Sequence, residues 1–280
     1  METRLLQHPP TGLADWVRNG LVMAPPDDRY VLPAALSPLL VVTLSGAIRV
    51  LMEAGGWLAF PALCLSGPTR SFRVAQALPG TRILTVALQP GATRLFFGVS
   101  GRDMIDRFLA LDDILSGARR GLVQELEACL AAPVSEDSQV QAVWDCLLRL
   151  RLAPLAAPDV RGPLELLGQS PAELASAWGV GLRQFERCFL DSYGQPLRAY
   201  RRQLRFSRLL GGFDGTPCSW ADLAAESGYA DQAHLIRDVR RFTGHSPASL
   251  LRSVRSGDPA FWAYRVAPTV RSLHFGPDGF

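Results

Sequence analysis

The sequence predicts an α+β chain of two domains: a β-barrel or β-sandwich followed by helices, then an all-helical domain that makes one structural unit twice. Three observations carry this. Between Tyr30 and Val99 short apolar runs are cut by Gly and Pro every eight to twelve residues, the pattern of a small barrel or sandwich. After Ser100 the apolar period lengthens to that of amphipathic helices. The last third repeats itself at a spacing near fifty residues.

Taken in order, the strand candidates are LLVVTL, IRVLM, WLAF, FRVAQAL, ILTVAL and LFFGV, separated by turns at Gly55-Gly56, Gly67-Pro68, Pro79-Gly80 and Pro90-Gly91. Val31 to Ile48 is eighteen residues without a charge, the lower limit for a membrane span. Pro33, Pro38, Ser45 and Gly46 interrupt it, and Val41, Val42 and Thr43 favour a buried strand instead, so no membrane partner is expected. RDMIDRFLALDDIL, GARRGLVQELEACLA and QVQAVWDCLLRLRL then read as helices. The last carries a stripe of Val140, Trp144, Leu147 and Arg151, which packs either on its own domain or on a second copy in a homodimer. The Ala- and Pro-rich run APLAAPDVRGP, residues 153–163, breaks the pattern and marks the boundary. The expected units are 1–155, 160–255 and an aromatic-rich tail, 256–280, whose Phe261, Trp262 and Tyr264 are too apolar for a free end and should fold back on the protein.

In the repeat, Leu174, Ala175 and Gly179 recur forty-nine positions on as Leu223, Ala224 and Gly228; Phe185, Arg187, Phe189 and Gly194 recur fifty on as Leu235, Arg237, Val239 and Gly244. A small residue in one helix, a Gly four positions later and an apolar residue after it suit the tight turn of a helix-turn-helix. With Phe185, Phe189, Leu235 and Val239 facing inward, each second helix leaves a polar face: Arg183, Glu186 and Arg187 in one copy, Gln232, His234 and Arg237 in the other. Guanidinium pairs two-pronged with guanine, a side-chain amide with adenine, and a carboxylate accepts from cytosine, so these types suit the major groove of double-stranded promoter DNA. Between the copies, PLRAYRRQLRFSRLLG reads as one helix about 24 Å long, able to hold two reading helices about one DNA turn apart, near 34 Å. Arg201 and Arg205 on it, with Arg198, Arg202 and Arg208, are candidates for phosphate contacts.

Charge fits that partner. All 29 basic residues are arginine; residues 1–160 hold 14 of them against 15 acids, whereas residues 161–255 hold 13 against 9. Five scattered cysteines, Cys64, Cys129, Cys146, Cys188 and Cys218, none at CxxC spacing, read as buried reduced thiols of a cytoplasmic protein, and the N-terminus shows no secretory signal pattern. Catalysis is disfavoured by what is missing. Without lysine there is no phosphate-loop or Schiff-base lysine, and no GxSxG elbow occurs. GVGLRQ at 179 lacks the third Gly of a dinucleotide loop. The histidines are His8, His234, His245 and His274, so a metal-binding barrel would lack imidazole ligands. No metal and no cofactor is expected, and Asp103, Asp106, Asp112 and Asp113 read as helix-capping and surface carboxylates rather than an enzyme site.

The segment 163–252 resembles the two-unit DNA-binding domain of the AraC/XylS transcription regulators, and GYADQAHLIRDVRRFTGHSP resembles that family's signature around its second reading helix. The resemblance implies seven helices, base contacts by the third and sixth through Arg183, Glu186, Arg187, Gln232, His234 and Arg237, and contact with RNA polymerase. Val239 and Ala233 depart from the family pattern, an aromatic and a base-contacting residue being usual there. The front domain resembles the cupin-like effector domains that precede this module, through Val31–Pro33, the Gly67-Pro68 turn with Arg70, and Leu88–Ala92; Ala34 replaces a usual polar residue. It implies a small-molecule effector, for which Arg70, Arg73 and Arg82 are the candidate anion contacts. The competing expectation is a protein-interaction module with an incidental basic helical face, which salt dependence distinguishes from DNA binding.

Overall fold

The fold follows from a computed structural model that describes residues 5–52, 54–151, 168–212 and 219–266. Among the described residues ten strands form two antiparallel sheets. The first orders β1 (Leu5–Gln7), β2 (Val17–Met23), β9 (Arg82–Leu88), β4 (Leu39–Ser45), β7 (Leu63–Ser66) and β10 (Phe108–Ala110). The second orders β3 (Arg29–Leu32), β8 (Arg73–Ala77), β5 (Ile48–Leu51) and β6 (Trp57–Ala59). Central strands β4 and β9 read as near-continuous apolar runs because the first sheet is covered on both faces. One face meets the second sheet through Leu21, Met23, Tyr30, Ile48, Val50, Ala75 and Ile83. The other meets α1 (Ala92–Phe97), α4 (Gly117–Ala131) and α5 (Glu136–Leu150).

Val140, Trp144 and Leu147 of the α5 stripe are all buried in that covering layer, so the stripe faces its own sheet and not a second copy; Arg151 instead donates to the Gly12 carbonyl at 2.9 Å. Trp144 also explains a strand missed in the sequence. Gly20 interrupts β2, yet a Cβ there would lie 2.9 Å from the Trp144 ring, so glycine is what lets the indole lie against the sheet.

Two expectations are corrected. LFFGV is not a strand but the end of α1, whose Leu95, Phe96 and Phe97 are all buried; an apolar run enclosed on all sides has no period to distinguish helix from strand. RDMIDRFLALDDIL is not one helix. It breaks into α2 (Gly101–Met104), β10 and α3 (Leu111–Ile114), because Asp106 adopts a positive φ of 57° and the edge of β7 takes β10 as partner. Val31 to Ile48 spans strands, and among the described residues no helix is long and apolar enough to cross a membrane. The whole 153–163 boundary, Cys218 and residues 267–280 of the tail lie outside the described residues.

Cys64 and Cys146 are buried as expected, but Cys129 and Cys188 are only half-buried. Burial pushes the Cys64 thiol up to about 12 and the Cys146 thiol up to about 11. A thiol reacts as thiolate, which exists only as pH approaches the pKa. Pulse labelling of the native protein with iodoacetamide at pH 8, followed by peptide mass spectrometry, is therefore expected to modify Cys129 and Cys188 well before Cys64 and Cys146. Equal labelling of all four contradicts the packing described.

Candidate nucleic-acid interface

Each repeat folds as a short helix, a turn and a twelve-residue helix. In the first unit these are α6 (Pro171–Ala177) and α7 (Leu182–Tyr193); in the second, α9 (Trp220–Glu226) and α10 (Gln232–Thr243). The period extends to the caps, Ser170 starting α6 and Ser219 starting α9, each accepting from a backbone N–H in the first turn. Gly179 and Gly228 end the first helices at φ 65° and 72°, as the turn requires. The inner faces are as the sequence implied: Phe185, Phe189, Leu235 and Val239 are all buried. Between the units runs α8 (Leu197–Gly212), and α11 (Pro247–Arg255) closes the second.

The outer faces meet in one cleft of about 820 Å3. Glu186 of α7 lines it on one side, His234 and Arg237 of α10 on the other, and Arg198, Arg201, Arg202 and Arg205 of α8 form its floor. Arg183, Arg187 and Gln232 are exposed on the same two helices, outside this lining. Three of the six expected readers thus come together with the expected phosphate contacts Arg201 and Arg205, and basic charge dominates the lining. Three of the four floor arginines are held in place. The Arg201 guanidinium, its pKa lowered by burial, donates to the Gln169 carbonyl, and Arg205 lies over the Tyr229 ring at 5.1 Å. Arg202 Nε binds Asp238 Oδ1 at 2.7 Å, and the other oxygen of that fully buried carboxylate is 3.7 Å from His234 Nε2. Sequence reasoning missed Asp238. Its signal was an acid one turn after His234, on the side of α10 that carries Leu235 and Val239.

The C-terminal ends of α7 and α10 touch the β-rich first domain. Gly194, after α7, packs so closely on Gly101 that a Cβ would lie 2.8 Å from the Gly101 carbonyl oxygen. Arg102 pairs with Asp191 at 2.7 Å beside it. Gly244, after α10, abuts the Phe72 ring, where a Cβ would come to 2.7 Å. Ala34, the departure from the family pattern, donates its N–H to the Phe242 carbonyl at 3.1 Å, and the buried Gln203 of α8 donates to the Thr69 carbonyl at 3.0 Å.

Between the two sheets lies a second cavity of about 100 Å3, lined by apolar side chains, by the hydroxyls of Ser66, Thr69 and Thr85, and by Arg73. Of the three candidate effector arginines only Arg73 reaches it. Its guanidinium donates to Asp106 at 2.9 Å and to Ser71 Oγ at 2.7 Å. Arg82 points outward to a bidentate pair with Glu136 at 2.8 and 2.7 Å. Arg70 is exposed, bound to Asp106 at 2.5 Å, and borders a surface groove with Arg198, Arg202 and Arg241. Arg73 shares the inward-facing alternation of Ala75 and Ala77 along β8, which is the sequence signal that separates it from the other two.

Residues 174–253 match the family described as "Helix-turn-helix domain". No curated protein sequence matches the chain. Among solved structures, a point variant of apo ToxT from Vibrio cholerae shares 11% identity over 83% of this chain and 97% of that one, at a TM-score of 0.43. ToxT from Vibrio cholerae bound to (E)-4-(8-methylnaphthalen-1-yl)but-3-enoic acid shares 9% over 90% and 99%, at 0.44. The AraC-like transcriptional activator CuxR shares 14% over 66% and 72%, at 0.20.

The Arg202–Asp238 pair makes an asymmetric prediction. Arg202 is 42% exposed and loses little on its own, but its removal strands a carboxylate with no exposure at all. Arg202→Ala is expected to cost about 2 to 3 kcal/mol, below the range for a fully buried pair because one partner is half in water. Asp238→Asn, which removes the charge, is expected to cost about 1 kcal/mol. Urea unfolding of both variants checks the order, and the reverse order contradicts it.

Proposed function

We propose that this chain, whose residues 174–253 form a helix-turn-helix domain of the AraC type, is a transcription regulator that binds promoter DNA sequence-specifically and answers to a small molecule held by its barrel. The observation that carries the reading is the shared cleft: Glu186 from one reading helix and His234 and Arg237 from the other line it together with four arginines of α8. The sixteen residues of α8 span about 24 Å, long enough, with the width of a flanking helix, to hold two readers about one DNA turn apart, near 34 Å. Two successive major grooves then receive α7 and α10, and the phosphate backbone between them crosses the arginine floor. Arg183, Arg187 and Arg237 suit guanine, Gln232 suits adenine and Glu186 accepts from cytosine, while Arg198, Arg201 and Arg205 meet phosphate without reading sequence.

The barrel cavity sets the effector's chemistry. An apolar lining with one charged side chain, Arg73, suits an apolar body with a single anionic head group. Such a molecule acts only through a difference in affinity between two arrangements of the domains. The packing of Gly101 on Gly194 and of Phe72 on Gly244 places the barrel against the ends of both readers, where a change in its shape reaches them directly.

The test begins with selection of bound duplexes from a random pool and continues by gel shift. Arg187→Ala and Arg237→Ala are each expected to weaken binding of the selected site by about 1 to 3 kcal/mol and to relax preference at one base position. Arg198→Ala is expected to weaken all sequences alike and to lower the slope of log K against log salt by about 1. If both reader variants bind as the parent does, or if binding is insensitive to salt, the helical face is a protein-docking surface and the regulator reading fails.

A further inference from the structure

The C-terminal segment Pro259–Arg265, a 3-10 helix broken at Phe261, divides its side chains between two cores. Phe261 and Tyr264 are buried in the second helix-turn-helix unit with Phe242, Leu250 and Val254, and His245 lies edge-on to Phe261 at 4.9 Å. Trp262, Ala263 and Val266 are buried in the barrel with Ile48, Val50 and Ile83, Trp262 meeting Tyr30 edge-on at 5.9 Å. The segment is a strap sewn through both domains, and Trp262 is part of the wall of the barrel cavity.

The size of that cavity has a consequence. At about 100 Å3 it is smaller than the ~150 Å3 that admits benzene and well below the ~300 Å3 at which sites for organic ligands begin. An effector therefore enters only when a wall moves. Most of the wall belongs to β3, β4, β5, β8 and β9, whose displacement breaks sheet hydrogen bonds. The Ala34–Ala35 stretch is tied by its N–H groups to Phe242 and Thr69, and Phe60 by its N–H to Ile48. Trp262 is the large wall group carried outside any ladder, on a single irregular turn.

We propose that Trp262 is a built-in occupant of the effector cavity. An effector with an apolar body the size of a bicyclic aromatic or a medium alkyl chain, and a carboxylate directed to Arg73, takes the place of the indole and draws the strap off the barrel. This rests on the reading of the barrel as the effector domain. Displacement loosens the second reading unit, in which Phe261 and Tyr264 remain seated, while the first keeps its Gly101–Gly194 packing and its Arg102–Asp191 pair.

The experiment titrates the full chain with sodium 1-naphthoate and sodium decanoate, by calorimetry and by amide hydrogen exchange, in the parent and in Trp262→Ala, Trp262→Phe and Arg73→Ala. Removing the competing indole is expected to tighten both probes about tenfold in Trp262→Ala, with Trp262→Phe between. In the parent, the probes are expected to speed exchange of the 260–265 amides while β4 and β9 stay protected. Trp262→Phe keeps a ring in the seat, so the ranking is readable even where the alanine variant is poorly folded. Probes that bind the parent through Arg73, yet bind the Trp262 variants no tighter or leave the strap amides protected, overturn this proposal and leave the effector reading standing. Probes that bind neither parent nor variants overturn the effector reading and this proposal with it.

Discussion

One helix belongs to two cores. Tyr200 and Leu204 of α8 are buried with Phe185, Phe189 and Leu174 of the first reading unit, and Phe206, Leu209 and Leu210 with Leu235, Val239 and Phe242 of the second. Burial of each such side chain stabilises by about 1.5 to 3 kcal/mol, so α8 cannot slide or bend without opening a void in one unit or the other. The separation of α7 and α10 is fixed for that reason. The opposite face of the same helix supplies Arg198, Arg201, Arg202 and Arg205, so the spacing of the readers and the charge between them come from a single sixteen-residue element.

The repeat has a second effect, at the ends of the reading helices. Gly194 and Gly244 occupy equivalent corners fifty residues apart, and both corners rest on the front domain, one on Gly101 and the other on Phe72. The two contacts differ in kind. The first is backbone against backbone, reinforced by Arg102 and Asp191, whereas the second is backbone against an aromatic ring, beside the hydrogen bond from Ala34 to Phe242. A duplicated unit thus offers the barrel two similar handles held by unlike interactions.

Much of this was legible in the sequence where the signal is local. Strands β4, β5, β8 and β9 lie where β-branched and alternating runs place them, and the repeat gave both turn glycines and both inner faces. What stayed hidden depends on residues far apart in the chain. Gly20 makes β2 look like a break until Trp144, over a hundred residues on, is seen to lie against it. The helical form of LFFGV is decided by the layers enclosing it, which no period reports. Arg70, Arg73 and Arg82 differ in which face of a strand or turn they leave from; Glu136 holds Arg82 outward, while Asp106 binds both the exposed Arg70 and the buried Arg73.

The two reading units are also stabilised by different physics. In the first, Trp178 stacks on Phe185 at 5.5 Å, Phe189 on Tyr193 at 4.1 Å, and Tyr200 closes edge-on at 4.7 Å from Tyr193. Packing of this kind rests on buried apolar area and ring geometry rather than on ion pairing. In the second, Leu235 and Val239 replace the two phenylalanines, and the buried Asp238 stands where the first unit has Cys188. That carboxylate binds Arg202 through one oxygen and lies 3.7 Å from His234 through the other, so a residue of the cleft floor and a residue of its α10 side share one anchor. Any shift of α10 relative to α8 disturbs both at once. Coupling between the cleft floor and the outer face of α10 is consequently built into the second unit, the same unit that the C-terminal strap ties to the first domain.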